Sequence, residues 1–199
     1  MNNNLSNQDS FSVQSDNYAK YRPHYPATLF AELASLCASK QRALDCATGN
    51  GQSAIALTKH FKEVIATDVS QQQIAQAITH PQVSYLVVAA EKLDFPAAYF
   101  DLITVAQAIH WFNLPEFYQK VKYIGKPGAI IAAWAYDLFK INNQIDEIIQ
   151  DILLKPIEAF WAEGNKLISA KYQSIDFPFT EISLPTFQLQ VEWNLAQLL

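Results

Sequence analysis

The chain has 199 residues, of which 50% are hydrophobic and 17% charged, and it carries a formal net charge of −5. This length and apolar content predict one globular domain with a sizeable core, and the acidic balance argues against a nucleic-acid binder, which would show a basic face. The sequence shows no basic-plus-apolar leader and no apolar run near the ~18 residues of a membrane span, so we expect a soluble cytoplasmic protein without membrane partners.

The first residues of the chain are rich in Asn, Ser and Gln. Because such a composition buries little apolar surface, residues 1–17 are expected to form a flexible segment. The remainder, 18–199, is expected to form a single domain. Its first regular element is a predicted helix over 27–39, where apolar residues recur at helical spacing.

Strands and helices then alternate along the chain. Short apolar runs predict five strands, and helical periodicity predicts three helices between them, with strands at 43–46, 64–67, 84–88, 101–106 and 129–135 and helices at 53–60, 71–78 and 114–124. This alternation is typical of a doubly wound, mostly parallel, Rossmann-like α/β sheet with helices on both faces. Such folds bind ligands at the carboxyl ends of strands, where Asp45, Asp68, Glu91 and Gln107 all fall.

The turn that follows the first strand is a candidate cofactor cradle. The strand ends at Asp45, and a turn containing Ala47, Gly49 and Gly51 leads into a helical pattern. Glycines let the backbone approach a ligand closely, and the next helix directs its free N–H groups at the same turn. The alternative for Asp45 is an acid that simply caps the turn.

Two cofactors are compatible with this turn. Residues 49–54 match the dinucleotide pattern G-x-G-x-x-G/A, and Asp68 ends the second strand about 20 residues on, where a carboxylate can accept hydrogen bonds from a ribose diol. The alternative for Asp68 is an acid favoured by the next helix N-terminus. A carboxylate at Asp45 would repel a pyrophosphate but would suit an ammonium group, so we predict S-adenosyl-L-methionine and keep a dinucleotide-dependent dehydrogenase as a distant alternative.

Four segments together resemble a known family, in this order and spacing: 43–54 (ALDCATGNGQSA), 64–77 (VIATDVSQQQIAQA), 87–112 and 124–136 (IGKPGAIIAAWAY). The chain is similar to class I S-adenosylmethionine-dependent methyltransferases of the branch called methyltransferase type 11, and especially to trans-aconitate methyltransferase-like members. Residues 21–26 also resemble an entry segment of that branch. The family usually has Gly where Ala47 stands, and we expect slight crowding at the turn without loss of binding.

The resemblance implies roles on the methionine side of the cofactor. Asp45 and Gly49 would hold the methionine part, with backbone groups of 47–51 lining it. Asp68 would bind the ribose hydroxyls, and Gln107 would touch the methionine end.

The resemblance also implies an adenine site. Val69 would flank the adenine ring, the backbone N–H of Ala90 would meet a ring nitrogen, and Glu91 would complete the adenine edge. The alternatives are a simple core position for Val69 and a solvated surface acid for Glu91.

On the substrate side the resemblance places Tyr21, Arg22, Tyr25, His110 and Trp111. His110 is the candidate general base, because a neutral imidazole could accept the proton of a hydroxyl acceptor, whereas a carboxylate acceptor would need no base. Arg22 would neutralise a carboxylate of cofactor or substrate. The alternatives are a buried structural His110 and a surface Arg22.

Residues 137–175 depart from the strand–helix alternation. Ile145, Ile148, Ile149 and Ile152 follow one helical face, so this stretch predicts a helical insert after the fifth strand. The resemblance implies that the insert is a lid over the substrate side of the cofactor. Ordinary amphipathic helices that pack on the core are the alternative.

The last residues depart from the family pattern. Residues 175–193 predict a sixth strand and 194–199 the start of a helix, whereas the family continues into a final antiparallel strand, which is expected to be missing here. An unfilled gap in a sheet leaves unpaired backbone groups and favours association. We therefore expect a monomer or a homodimer, with a dimer pairing through the incomplete sheet.

The sequence predicts no metal site, because its four histidines show no ligand-like spacing, and Cys37 and Cys46 are expected to be packed free thiols. An Asn-Pro-Pro-Tyr-type motif, which nucleic-acid amino methyltransferases carry after the fourth strand, is absent. The expected reaction is therefore methyl transfer from S-adenosyl-L-methionine to a carboxylate or hydroxyl oxygen of a small molecule. The alternative is a catalytically silent cofactor-binding or assembly module.

Overall fold

A computed structural model describes residues 23–160 and 163–194, so the predictions for 1–17, Tyr21 and Arg22 lie outside the described residues. Helix α1 (Ala27–Leu36) precedes the sheet. The five strands are β1 (Arg42–Cys46), β2 (Glu63–Asp68), β3 (Val83–Val87), β4 (Phe100–Ala106) and β5 (Gly125–Trp134). Between them lie α2 (Gln52–Leu57), α3 (Gln71–Ala75), α4 (Leu114–Ile124) and the short 3₁₀ helices Ala90–Lys92 and Ile109–Trp111.

Helices also follow the fifth strand, as predicted. α5 (Asn143–Ile148) continues through a π-helical stretch (Ile149–Leu154) into α6 (Lys155–Ile157), and a 3₁₀ turn (Glu158–Phe160) comes next. The last helix is α7 (Glu163–Ser169). Within the described part of the chain, every helix is too short or too polar to cross a membrane.

The five strands form one parallel sheet in the order β3-β2-β1-β4-β5, which confirms the doubly wound α/β prediction. The chain order reverses at β1, which pairs with β2 on one side and β4 on the other. Parallel open sheets bind their ligands outside the carboxyl edge at this reversal point. In this register Asp45 lies between Ala66 and Thr104.

The core consists of two apolar layers, one on each face of the sheet. Ala43 joins the layer formed with α1 and α2, whereas its neighbour Leu44 joins the layer formed with α4. Because both faces are covered, the inner strands are apolar along nearly their whole length. Cys46 and Cys37 are buried free thiols in these layers, as predicted.

The predicted sixth strand over 175–193 is wrong, because none of these residues pairs with a strand. Phe177 and Phe179 instead pack edge-on against Tyr118 of α4, with ring centroids 5.9 and 5.5 Å away. The first apolar residues of this segment thus pack on the helix and not beside a strand. Among the described residues, β5 therefore pairs only with β4.

Candidate cofactor and acceptor site

A cavity of about 1300 Å³ lies at the carboxyl edge of the sheet. Ten of the residues that the sequence assigned to a site line it, namely Tyr25, Ala47, Gly49, Asp68, Val69, Ala90, Glu91, Gln107, His110 and Trp111. Asp45 and Gly51 are not among its lining residues. The structure thus brings most of the predicted site residues together at the carboxyl edge of the sheet, as the strand order requires.

The turn after β1 has a backbone that strongly favours glycine. Ala47, Gly49 and Gly51 have φ angles of +54°, +58° and +87°, all in the left-handed region. A Cβ built on Gly51 would lie 2.2 Å from the hydroxyl of Tyr85 on β3, so this position admits no side chain. The cost of an alanine at position 47 is therefore a cost in backbone conformation.

Asp68 joins this turn to the start of α3. Its Oδ2 accepts the backbone N–H of Gly49 at 2.8 Å, and its Oδ1 accepts the backbone N–H of Ser70 at 2.8 Å. Each carboxylate oxygen can accept a further hydrogen bond, and the side chain lines the cavity. The residue is thus placed to accept two hydroxyl donors from a ligand.

Asp45 is buried directly behind the turn, with 1% of its surface exposed. Its Oδ2 accepts the hydroxyl of Thr48 at 2.5 Å, and its Oδ1 accepts the hydroxyl of Thr104 at 2.8 Å. Burial raises the pKa of Asp45 to about 6, against the lowering effect of these hydrogen bonds. Asp45 lines a small neighbouring cavity, which shares Tyr25 and Ala47 with the large one.

The sequence analysis missed both threonines that hold Asp45. The signal for Thr104 was its place as a hydroxyl in the middle of the apolar strand β4, directly beside Asp45 in the sheet register. Buried polar groups need hydrogen-bond partners, so a buried aspartate at the end of β1 implied a donor on an adjacent strand.

The predicted adenine side of the cavity is formed by the ends of β2 and β3. Val69 is 52% exposed and faces the cavity region, so it is not a core residue. Ala90 is buried at the start of a 3₁₀ helix. Glu91 accepts the backbone N–H of Asn113 at 2.8 Å through its Oε1, so this acid anchors the segment that begins α4 rather than being solvated alone.

Gln107 closes the carboxyl end of β4. Its φ is +58°, its backbone N–H donates to the carbonyl of Trp134 at 2.8 Å, and its side-chain Nε2 donates to the carbonyl of Tyr136 at 3.0 Å. The residue therefore fixes where the chain leaves β5 and enters the cavity wall. Tyr25 packs edge-on against Trp134, with ring centroids 5.5 Å apart.

His110 lies on the 3₁₀ turn after β4, beside the ring of Trp111 at 4.8 Å. Its Nδ1 is 2.9 Å from the hydroxyl of Tyr172, a partner that the sequence analysis did not identify. Burial lowers the pKa of His110 to about 4, so the imidazole is neutral at physiological pH. Gly164 of α7 packs against the same ring, where a Cβ would lie 2.7 Å from Cδ2.

The remaining wall of the cavity comes from the segments after β5. It is mainly apolar and aromatic, and it includes Leu138, Phe139, Ile168, Phe187, Leu189, Val191 and Trp193. The C-terminal segment thus contributes to the cavity although it forms no strand. The sequence could not predict this role in the cavity wall, because the apolar residues of 175–193 alternate with polar ones, and such alternation is typical of a strand.

The site residues fit S-adenosyl-L-methionine. Asp68 keeps acceptor capacity for a ribose diol, Val69 offers an apolar face to a ring, and Asp45 places a buried negative charge behind the turn. The turn itself, 47–51, contains no lysine or arginine that would neutralise a pyrophosphate. The cavity therefore suits a nucleoside with a cationic tail better than a dinucleotide.

Comparison with known proteins agrees with this chemistry. A family model described as a methyltransferase domain matches residues 44–133. A protein of Dictyostelium discoideum named as a methyltransferase is 37% identical over 185 residues, which cover 91% of this chain and 70% of the relative. A protein of Saccharomyces cerevisiae named as an S-adenosylmethionine-dependent methyltransferase is 29% identical over 134 residues, or 63% of this chain and 46% of the relative.

A solved structure shows the same relationship. The structure, described as a type II methyltransferase from Anaeromyxobacter dehalogenans, superposes with a TM-score of 0.76 at 34% sequence identity, covering 83% of this chain and 70% of that chain. None of these three relatives is named as a trans-aconitate methyltransferase, so the resemblance to that subgroup stays a prediction.

Proposed function

Because the chain belongs to the class I S-adenosylmethionine-dependent methyltransferases, we propose that it methylates an oxygen of a small molecule, either a carboxylate or a hydroxyl. The observation that carries this proposal is the cavity itself, which has one polar end at Asp68 and an aromatic end around Trp111. Pockets for drug-sized ligands have volumes of about 300–1,000 Å³, so a cavity of about 1300 Å³ has room for a cofactor and a small acceptor.

The polar end is the proposed cofactor side. Asp68 would accept the ribose hydroxyls while it holds Gly49 and Ser70 in place, so binding needs no rearrangement of the turn. Asp45 would attract the ammonium group electrostatically from behind the turn. When bound, S-adenosyl-L-methionine supplies a methyl group already activated by its sulfonium.

The aromatic end is the proposed acceptor side. His110 and Trp111 line it from the turn after β4, and Gln107 lines the same cavity from the position that directly follows this strand. The chain's contribution to the reaction would be to align the acceptor oxygen and to exclude water from it. His110 would serve either as the base that takes a hydroxyl proton or as a hydrogen-bond donor, depending on which ring nitrogen carries hydrogen.

An acceptor screen tests the proposed function. Purified protein would be incubated with S-adenosyl-L-methionine and a panel of small carboxylic acids and hydroxyl compounds, and S-adenosylhomocysteine formation would be measured. The expected result is acceptor-dependent product in at least one class, and none with the Asp68→Ala variant. If the protein binds the cofactor but no acceptor in a broad panel is methylated, the silent-module alternative is favoured.

A further inference from the structure

The hydrogen bond between His110 and Tyr172 constrains what His110 can do. Nδ1 of the imidazole lies 2.9 Å from the phenolic oxygen, and the two rings lie nearly parallel, with centroids 5.9 Å apart and planes at 29°. Within 23–160 and 163–194, Nε2 has no hydrogen-bond partner. Since His110 lines the cavity, Nε2 is the ring nitrogen left for a ligand.

The protonation states of Tyr172 and His110 decide which of the two donates the hydrogen bond. Burial, and secondarily the nearby Tyr25, raise the pKa of Tyr172 above its ordinary value, so the phenol keeps its proton. Burial lowers the pKa of His110 to about 4, so the imidazole carries a single N–H. Within the described residues the phenol has no other acceptor, and an N–H at Nδ1 would leave the O–H without a partner in a half-buried site, which is unfavourable.

We propose that Tyr172 donates its hydroxyl proton to Nδ1 and thereby holds His110 with its hydrogen on Nε2. His110 then presents an N–H to the acceptor and acts as a hydrogen-bond donor, not as the general base that the sequence indicated. Tyr172 is a positioning residue, because it acts on the acceptor only through His110. This inference rests on the proposed function insofar as it assigns the acceptor to the His110 side of the cavity.

The backbone around Tyr172 is built to make this contact. Lys171 and Tyr172 have φ angles of +53° and +58°, a backbone conformation that residues other than glycine rarely adopt. Their N–H groups donate to the carbonyls of Ile168 and Leu167 at 2.7 and 2.9 Å, so the reversal that ends α7 turns Tyr172 back toward His110. Gly164 closes the other side of the ring. Tyr172 and Gly164 thus both contact the imidazole of His110.

The donor role limits the acceptor chemistry. An N–H at Nε2 can hold one oxygen of an anionic or carbonyl-bearing acceptor and leave a second oxygen free to attack the methyl group. It cannot take a proton from an alcohol. The reacting oxygen is therefore expected to arrive without a proton, as in a carboxylate, and the transfer forms one O–C bond as the C–S bond breaks, with no proton released.

The first test reads the tautomer directly and needs no acceptor. Long-range ¹H–¹⁵N correlation spectra would be recorded from the wild-type chain, from Tyr172→Phe, and from His110→Gln to assign the resonances among the four histidines. The expected wild-type spectrum shows an unprotonated, hydrogen-bonded Nδ1 and a protonated Nε2. In Tyr172→Phe the Nδ1 resonance should move toward that of a free unprotonated nitrogen. A protonated Nδ1, or a spectrum unchanged by Tyr172→Phe, would overturn the proposal.

The second test uses turnover with an acceptor from the screen. Gln at position 110 can donate from the place of Nε2 but cannot act as a base, whereas Ala can do neither. His110→Gln is therefore expected to stay within about tenfold of wild-type kcat, and His110→Ala to lose about 100-fold or more. Equal losses in both variants would indicate a base instead.

Controls separate this inference from the proposed function. All variants should keep wild-type S-adenosylhomocysteine affinity, which shows that they fold. If no acceptor is methylated, the proposed function fails while the nitrogen spectra still decide the tautomer. If methylation is found but Nδ1 is protonated, the proposed function stands and the donor role is wrong.

Discussion

Asp68 holds the turn after β1 in place and is also the proposed contact for the cofactor ribose. Its two oxygens accept the N–H groups of Gly49 and Ser70, and the same oxygens are the available acceptors for a ribose diol. Removing the carboxylate therefore loosens the turn and deletes the ligand contact together. Hydrogen bonds to a charged group contribute about 1.5–3 kcal/mol each.

Asp68→Ala is expected to weaken S-adenosylhomocysteine binding by about 100-fold or more, because two such contacts are lost. Calorimetric titration measures this directly. The matched control is Asp94→Ala, which removes an exposed carboxylate outside the cavity lining and should leave the affinity unchanged. An Asp68→Ala variant that binds within threefold of the wild type would contradict the assigned contact.

Asp45 is expected to give cofactor binding a pH dependence. Its pKa of about 6 means that the carboxylate is charged at pH 8 and mostly neutral at pH 5. Since the charge attracts a cationic tail, affinity should fall as the pH drops through about 6. Asp45→Asn should bind about tenfold more weakly at pH 8 and show a flat profile across this range.

The same residue has a calculable effect on folding. Its folded-state pKa of about 6 lies above the ~3.9 of an unfolded aspartate, so between these values the folded protein binds more protons and its stability rises as the pH falls. Denaturant titrations of wild type and Asp45→Asn at pH 4 and pH 7 isolate this contribution as a difference. The free energy of unfolding of the wild type, relative to that of Asp45→Asn, should be higher at pH 4 than at pH 7. The opposite order would contradict a raised pKa of Asp45 in the folded protein.

Ala47 has a φ of +54°, in the left-handed region, and this backbone conformation carries a cost for a residue with a side chain. Ala47→Gly is expected to stabilise the fold by about 1 kcal/mol, which corresponds to a rise in Tm of about 2–4 °C for a domain of this size. Ala98→Gly is the matched comparison, because Ala98 has a φ of +52° in an exposed turn outside the cavity lining. Both variants should gain stability, which thermal unfolding would show, and unchanged or lower Tm values in both would refute the strain.

At the scale of elements, α7 packs on the 3₁₀ turn after β4, where Gly164 lies against the ring of His110. Glycine destabilises a helix by up to about 1 kcal/mol relative to alanine, so propensity alone predicts that Gly164→Ala, in the first turn of α7, leaves Tm unchanged or raises it. The packing predicts the opposite, because a Cβ there would lie 2.7 Å from Cδ2 of His110. Contact with a ring outweighs a propensity difference of this size.

We therefore expect Gly164→Ala to lower Tm in the wild-type background and to raise it, or leave it unchanged, once His110→Ala has removed the ring. Thermal unfolding of the four proteins forms a double-mutant cycle. Equal shifts in both backgrounds would show that α7 does not pack on His110.

The sequence predicted well those elements whose residue pattern is compatible with only one kind of structure. Apolar runs such as those of β1 and β4 are buried on both faces of a parallel sheet, and their polar ends at Asp45 and Gln107 mark its carboxyl edge. The segment 175–193 was mispredicted because alternating apolar residues suit a strand and an extended packed segment equally. The role of Tyr172 was not predicted, because its contact with His110 joins residues 62 positions apart and depends on a turn that no local sequence pattern indicates.

At the scale of the whole molecule, β5 forms one border of the sheet among the described residues. Unpaired strand edges favour association, and the homodimer through this edge stays a prediction. Sedimentation velocity over a range of protein concentrations measures the oligomeric state. The sequence leaves a monomer and a homodimer open: a concentration-dependent dimer would support pairing through this edge, and a monomer at every concentration would exclude it.

The cavity at the carboxyl edge of the sheet is the proposed site of S-adenosyl-L-methionine. The most direct measurement is calorimetric titration of the wild-type chain with S-adenosylhomocysteine, with NAD as the matched nucleotide control. The predicted result is one S-adenosylhomocysteine bound per chain and no heat from NAD. Binding of NAD, or of neither compound, would contradict the assignment of this cavity.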